Sequence, residues 1–154
     1  MSTITQGANP VFMELSASDQ KQVKALVLEV SKEYGFTYNS KYHYDLEDPK
    51  KYYVDSGGMF YVLKLKRQVI GTIGIASNGD VAEIRRFYVK KEQQGRGFGS
   101  QLLDRAIEYC IQKGYKKIEV WTNKQFKVAH ILYQKRGFLL TNENIRAYYM
   151  EKTL

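Results

Sequence analysis

The sequence predicts an α/β (α+β) fold, with one mixed, mostly antiparallel sheet flanked by helices. The apolar pattern changes period along the chain, from 3.6 in some segments to 2 in others, so helices and strands are both present. Three strand-like segments follow one another between residues 59 and 89 with only short turns between them, the mark of antiparallel pairing. Later strand-like segments alternate with helical ones, which places helices on the faces of the sheet. A length of 154 residues, 44% hydrophobic and 26% charged, suits one domain over 1–154 with its own core.

Taken in order, "VFMEL" (11–15) alternates as a short first strand. Ser16-Ala17-Ser18-Asp19 has capping-box spacing, and Val23, Leu26, Val27 and Val30 recur at helical intervals up to Gly35. Residues 36–56 are polar, tyrosine-dense and interrupted at Pro49, which predicts one or two short helices and a loop. "MFYVLKLK" and "VIGTIGIA" flank Arg67-Gln68 as a hairpin, and "VAEIRRFYV" follows the Asn78-Gly79-Asp80 turn as a third paired strand. Leu102, Leu103, Ala106, Ile107, Cys110 and Ile111 form one face of a helix that Gly114 stops. "KKIEVWT" reads as a buried strand with Trp121 in the core. "FKVAHILYQKRGF" reads as a helix ending at Gly137, and "YYMEKTL" as a last strand. The expected order is β-α-(α)-βββ-α-β-α-β.

Twenty-four Lys and Arg against sixteen Asp and Glu leave a net charge of +8. Such a surface attracts nucleic acid, acidic lipid or a phosphate-rich cofactor, and it also serves solubility alone. No run approaches the length of a bilayer-spanning helix, and "MSTITQGANP" has no basic or apolar leader pattern. The one cysteine, Cys110, excludes an internal disulfide, so a reducing cytoplasm is expected; on its apolar helix face it reads as core. His43 and His130 lack partners at ligand spacing, so no metal site is expected.

The informative stretch is "QQGRGFGSQLL" (93–103). Arg96-Gly97-Phe98-Gly99 opens like an RNA-recognition strand, but Ser100 and Gln101 stand where that signature needs aromatic and apolar residues. Gly95-x-Gly97-x-Gly99 has the wrong interval for a dinucleotide fingerprint, and no Gly-Lys-Ser/Thr follows for a P-loop. What remains is a strand, a turn of alternate glycines and a helix N-terminus. Glycine lets successive N–H groups point into one concavity, the helix dipole adds positive potential, and Arg96 offers a charge-assisted contact. The predicted ligand is a pyrophosphate.

Gln94-Gly95-Arg96-Gly97-Phe98-Gly99 resembles the Gln/Arg-x-x-Gly-x-Gly/Ala motif of the GNAT superfamily of N-acetyltransferases. "EIRRFYV" is similar to that family's central strand, and "AHILYQKRGF" (129–138) to its later helix. The likeness covers roughly residues 11–154 and implies the GNAT fold and acetyl-CoA as co-substrate. It also implies that the main chain of Phe87, Tyr88 and Val89 pairs with the pantetheine arm as an added strand. Gln94, Gly95, Arg96, Gly97, Phe98, Gly99 and Ser100 would then wrap the pyrophosphate. Where the family often carries Asn, seven residues before the helix tyrosine, this chain has Phe126; Asn123, one turn earlier, is the candidate for that polar role.

The same resemblance places Tyr133 at the general-acid position, where an ordinary tyrosine pKa of about 10 keeps its proton available at neutral pH. Glu83 is the candidate base, directly or through water, with an ion pair to a neighbouring arginine as its structural alternative. A backbone N–H near a bulge at the end of the central strand would polarise the thioester carbonyl. Simple alternation puts Glu83, Arg85, Phe87 and Val89 on one face and Ile84, Arg86 and Tyr88 on the other.

The acceptor is expected to be a small-molecule primary amine, an amino acid or a simple amine, acetylated directly in a ternary complex. Tyr34, Tyr38, Tyr42, Tyr44, Tyr52 and Tyr53, with Asp45, Glu47 and Asp48, fall in the region that walls the family's acceptor cleft. Either these tyrosines stack on an acceptor while the carboxylates hold its ammonium, or they pack on the core. Arg85 or Arg86 would suit an acceptor carboxylate. The alternatives are a non-catalytic acyl-CoA-binding or sensing domain and, less supported, a nucleic-acid-binding module. An exposed final strand would be compatible with a homodimer.

Overall fold

The computed structural model describes residues 9–154; residues 1–8, most of the stretch read for a leader, lie outside them. Seven strands form one sheet in the order β1-β2-β3-β4-β5-β7-β6. They are β1 Val11–Glu14, β2 Met59–Leu65, β3 Gln68–Asn78, β4 Val81–Val89, β5 Lys117–Asn123, β6 Leu139–Glu143 and β7 Ala147–Thr153. The helices are α1 Gln20–Glu33, α2 Phe98–Lys113 and α3 Lys127–Lys135. All strand pairs are antiparallel except β4 with β5, because α2 intervenes there as a crossover.

Local chemistry accounts for most boundaries. Ser16 opens the first helical turn, its N–H donating to Asp19 Oδ2 at 3.0 Å, and Lys64 pairs with Asp19 from the sheet. Gly114 stops α2 in the left-handed region (φ 82°), and its N–H bonds back into the last turn. Between α1 and β2 the chain makes one 3₁₀ turn, Tyr44–Leu46, and one π turn, Lys50–Val54, in keeping with the short helices expected there.

Two layers of core sandwich the sheet. Val23, Leu26, Val27 and Val30 of α1 pack with Phe60, Val62 and Val69 on one face. Leu102, Leu103, Ala106 and Cys110 of α2 pack with Ile73, Ile75, Ile84, Ile118 and Val120 on the other. Cys110 is fully buried there, and burial pushes its thiol pKa up to about 12, as a packing residue requires.

The structure corrects four expectations. The β2–β3 turn is Lys66-Arg67 rather than Arg67-Gln68: Leu65 pairs with Gln68, and Lys66 takes a positive φ of 58°. A strand, β6, lies where none was expected, because "LLTNE" is exposed along its length and shows no alternation; only pairing to β7 makes it a strand. The final strand is therefore interior, between β5 and β6, and the exposed edge is β6. Trp121 is 50% exposed, because α1 covers β2 to β4 and leaves that face of β5 open. No helix among the described residues is long and apolar enough to cross a membrane.

Candidate active site

Strands β4 and β5 pair only from Val81↔Lys117 to Ile84↔Val120. Beyond that point both continue but separate: β5 stays bonded to β7, while Arg85–Val89 keep only β3. The sheet thus splits at the C-terminal ends of its two parallel strands, and the β4 edge facing the split has no strand partner.

A bulge sits at the mouth of the split. Gly74 pairs with Arg85 and Thr72 with Tyr88, so Arg86 and Phe87 on β4 together oppose Ile73. Arg86 adopts φ 53°, a strained setting for a long side chain, and Thr72 Oγ1 fixes it by donating to the Arg86 carbonyl at 2.8 Å. Thr72 was not anticipated, although a fully buried hydroxyl in the apolar run "VIGTIGIA" was its signal. The extra residue reverses the alternation. Glu83, Arg85 and Arg86 turn toward α1, whereas Phe87 and Val89 join Ile84 on the α2 side. The simple two-face assignment of this strand is thereby corrected.

After β4 the chain makes a 3₁₀ turn, Lys91–Gln93, and enters the glycine loop. Gly95 (φ 79°) and Gly97 (φ 83°) are left-handed, and open space surrounds each. Among the described residues, the N–H groups of Gly95, Arg96, Gly97, Phe98, Gly99 and Ser100 donate to no acceptor in the chain. Glycine at 99 has a different cause: a Cβ there would lie 3.3 Å from Leu132 and 3.6 Å from Phe87, so its absence lets α2 sit close to α3 and β4. The Phe98 ring is core, leaving its N–H as the part that faces the loop. Arg96 is exposed, 2.7 Å from Gln93 Oε1 and over the Phe98 ring at 5.1 Å. Gln94 Nε2 donates to the Val89 carbonyl at 2.9 Å, so one acceptor on the free β4 edge is covered by a side chain.

Helix α3 closes the far side of the split. Tyr133 is 2% exposed, between Phe87 (5.9 Å between ring centres) and Phe138 (5.3 Å). Burial holds its phenol well above the ordinary tyrosine range. Phe126, at the helix start, packs on Tyr34 and Tyr88. Asn123 is nearly buried, and its Oδ1 accepts from the Gln125 N–H at 2.9 Å, shaping the turn into α3.

On the α1 face the tyrosine-rich segment forms an interlocked network. Asp45, fully buried, receives Arg86 Nε on Oδ2 (2.9 Å), Arg86 Nη2 on Oδ1 (2.7 Å) and the Tyr53 hydroxyl (2.6 Å). Burial works to raise its pKa, but the Arg86 guanidinium and the Tyr53 hydroxyl outweigh it and hold the carboxyl below the ordinary range. Glu47 is taken by Lys24 and Tyr38, both at 2.7 Å. Asp48 Oδ1 accepts from the Lys51 N–H. The acidic residues expected to receive an ammonium thus have partners within the chain, as the packing alternative predicts. Arg85 Nη1 donates to Tyr52 Oη at 2.7 Å, and Glu83 lies 3.5 Å from Arg85 Nε, so the ion-pair alternative for Glu83 is realised.

A sheet split beside its two parallel strands, with a donor-rich glycine loop after the first of them, defines the N-acetyltransferase fold. The chain superposes on an acetyltransferase of the GNAT family from Staphylococcus aureus Mu50, with a TM-score of 0.87 at 21% identity over 95% of this chain and 99% of the other. It also superposes on the PaiA N-acetyltransferase of Thermoplasma acidophilum in complex with coenzyme A (TM-score 0.79, 22% identity, 95% and 99% covered). In sequence it is 28% identical to YjgM, an uncharacterized N-acetyltransferase of Escherichia coli K12, over 84% of this chain and 82% of that one. Zebrafish (Danio rerio) N-acetylaspartate synthetase is 32% identical over 66% of this chain, which spans only 37% of that relative. The model of the acetyltransferase (GNAT) family matches residues 23–138. The chain belongs to the GNAT acetyltransferase family.

Proposed function

We propose that the protein is an N-acetyltransferase that uses acetyl-CoA to acetylate the primary amine of a small molecule, by direct transfer in a ternary complex. The observation that carries this reading is the continuity of the free β4 edge with the glycine loop. Unpaired main-chain groups at Phe87, Tyr88 and Val89 lead directly to the unpaired N–H groups of Gly95 to Ser100. An extended amide chain ending in a pyrophosphate matches that sequence of donors and acceptors. Gln94 would exchange its bond to the Val89 carbonyl for the ligand, and Arg96 would swing from Gln93 to a phosphate. The coenzyme A complex of the Thermoplasma relative supports this placement.

Acetyl-CoA supplies an acyl group activated as a thioester. The chain's residues do the rest. The bulge at Arg86-Phe87 turns main-chain donors toward the split, where a carbonyl would be polarised. Tyr133, its proton retained by burial, donates to the departing thiolate. Glu83, on the opposite face, accepts a proton from the amine directly or through water. Asn123 lines the end of the split with its remaining amide donors. Because Cys110 is buried and held protonated, a direct transfer fits better than an acyl-cysteine route. A reducing cytoplasm suits that single free thiol.

The test is calorimetric titration with acetyl-CoA, together with thiol release over a panel of amino acids, polyamines and other amines. Tyr133→Phe is expected to lower kcat by roughly ten-fold or more, within the range of general acid catalysis, with acetyl-CoA affinity little changed. An unchanged kcat removes Tyr133 from the mechanism. Tight binding without turnover on any amine would instead make the protein an acyl-CoA sensor.

A further inference from the structure

Two adjacent arginines at the mouth of the split differ in what they leave free, and that difference bears on the acceptor. The argument rests on the N-acetyltransferase reading above. Arg86 is occupied: Nε and Nη2 both engage Asp45, Nη2 also donates to the Tyr42 carbonyl at 2.7 Å, and the buried carboxylate balances its charge one for one. Arg85 is not. Only Nη1 has a close partner, the Tyr52 hydroxyl, and Nη2 has none among the described residues. Its nearest carboxylate, Glu83, is 3.5 Å away and 44% exposed, too loose and too wet to neutralise a guanidinium.

We infer that the acceptor is an amino acid, or another small amine carrying a carboxylate, and that Arg85 holds that carboxylate with Trp121 beside it. Position supports this first. Arg85 is the first β4 residue beyond the last pair with β5, Ile84↔Val120, and stands two residues before Phe87. Trp121 is the first residue beyond the same pair on β5. Alternation puts both on the α1 side, opposite the glycine loop. A ligand anchored there approaches the split from the face that the loop leaves open.

The guanidinium is also held ready. The Tyr52 ring lies 5.5 Å from Arg85 Cζ, and the Tyr44 and Tyr52 hydroxyls are 3.1 Å apart beside it. A stacked, hydrogen-bonded guanidinium presents its remaining edge as a fixed fork, which matches a carboxylate in shape and charge. With 26% of its side chain exposed, Arg85 is reachable as well as positioned. Trp121, half-exposed on an uncovered patch of sheet, offers a flat wall for the rest of the acceptor.

The experiment compares amino acids with acidic, aliphatic and aromatic side chains, each beside its methyl ester and its decarboxylated amine, using the full chain and acetyl-CoA. The free acid is expected to exceed both analogues in kcat/KM by roughly 10- to 100-fold, the span of one charge-assisted contact. Arg85→Gln should collapse that acid-to-ester ratio, mainly through KM, and Arg85→Lys should recover part of it. A purely structural role for Arg85 would lower activity on acid and ester alike. If the wild-type protein acetylates esters and amines as well as acids, or if Arg85→Gln keeps the preference, the inference is overturned while the transferase reading stands. If Arg85→Gln fails to fold, the wild-type ratio alone decides. Acetyl-CoA left unconsumed by every acceptor would remove the transferase reading and this inference together.

Discussion

The two sides of β4 recognise by different means. On the α2 side the glycine loop presents backbone: its N–H groups are unpaired and its side chains are few or turned into the core. On the α1 side the bulge presents side chains, locked to one another across long sequence separations, such as Arg86 with Asp45 and Arg85 with Tyr52. The difference teaches why a family can keep its donor site and vary its acceptor. Backbone donors depend on a few glycines and a helix start, whereas the acceptor side depends on which side chains happen to meet over the bulge.

The largest effect that would break this contrast is on the side-chain network. Arg86→Gln leaves Asp45 buried without its cation, and should cost about 3–5 kcal/mol of stability in denaturant unfolding. A cost below about 1 kcal/mol would mean that the bulge does not rest on this pair. The backbone side is expected to respond differently. Gly97→Ala adds no clash but forces a Cβ residue to φ 83°, so about 1–2 kcal/mol should be lost. Acetyl-CoA affinity should fall in calorimetry while the acid-to-ester preference stays.

A pH titration sharpens the same comparison. The Asp45 carboxyl is held below its ordinary range, so its contribution is fully present above the unfolded aspartate value of about 4. That contribution is lost as pH falls through the lower folded value. Asp45→Asn should therefore flatten the acid limb of a stability–pH curve, and an unchanged limb would show that other carboxylates govern it. Smallest of all, Arg96→Ser should weaken acetyl-CoA binding by only a few-fold, because an exposed charge is screened, and the deficit should shrink as salt rises. Glu83→Gln tests the base separately: a pH–rate profile that does not move would leave Glu83 as the ion-pair partner of Arg85.

What was legible in the sequence follows a physical rule. The glycine loop and α2 could be read because a turn residue, a helix start and an apolar stripe are local properties. Gly95, Gly97 and Gly114 all adopt the positive φ that glycine permits at little cost. Trp121 and β6 were misread because exposure and strand identity there depend on what lies alongside, and no helix covers that part of the sheet. The tyrosines of residues 34–53 could be counted, but their partners could not be named.

By itself the sequence determined the alternation of elements, the core faces of α1 and α2, and the loop where unpaired N–H groups gather. Only the tertiary structure decided the facing of β4 beyond Ile84. One bulged residue, held by Thr72 from β3 and Asp45 from the segment before β2, turns Arg85 and Arg86 to the same side. The reason is that side-chain alternation along a strand follows from bond geometry, whereas an interruption of it is stabilised by contacts that form only when distant segments meet.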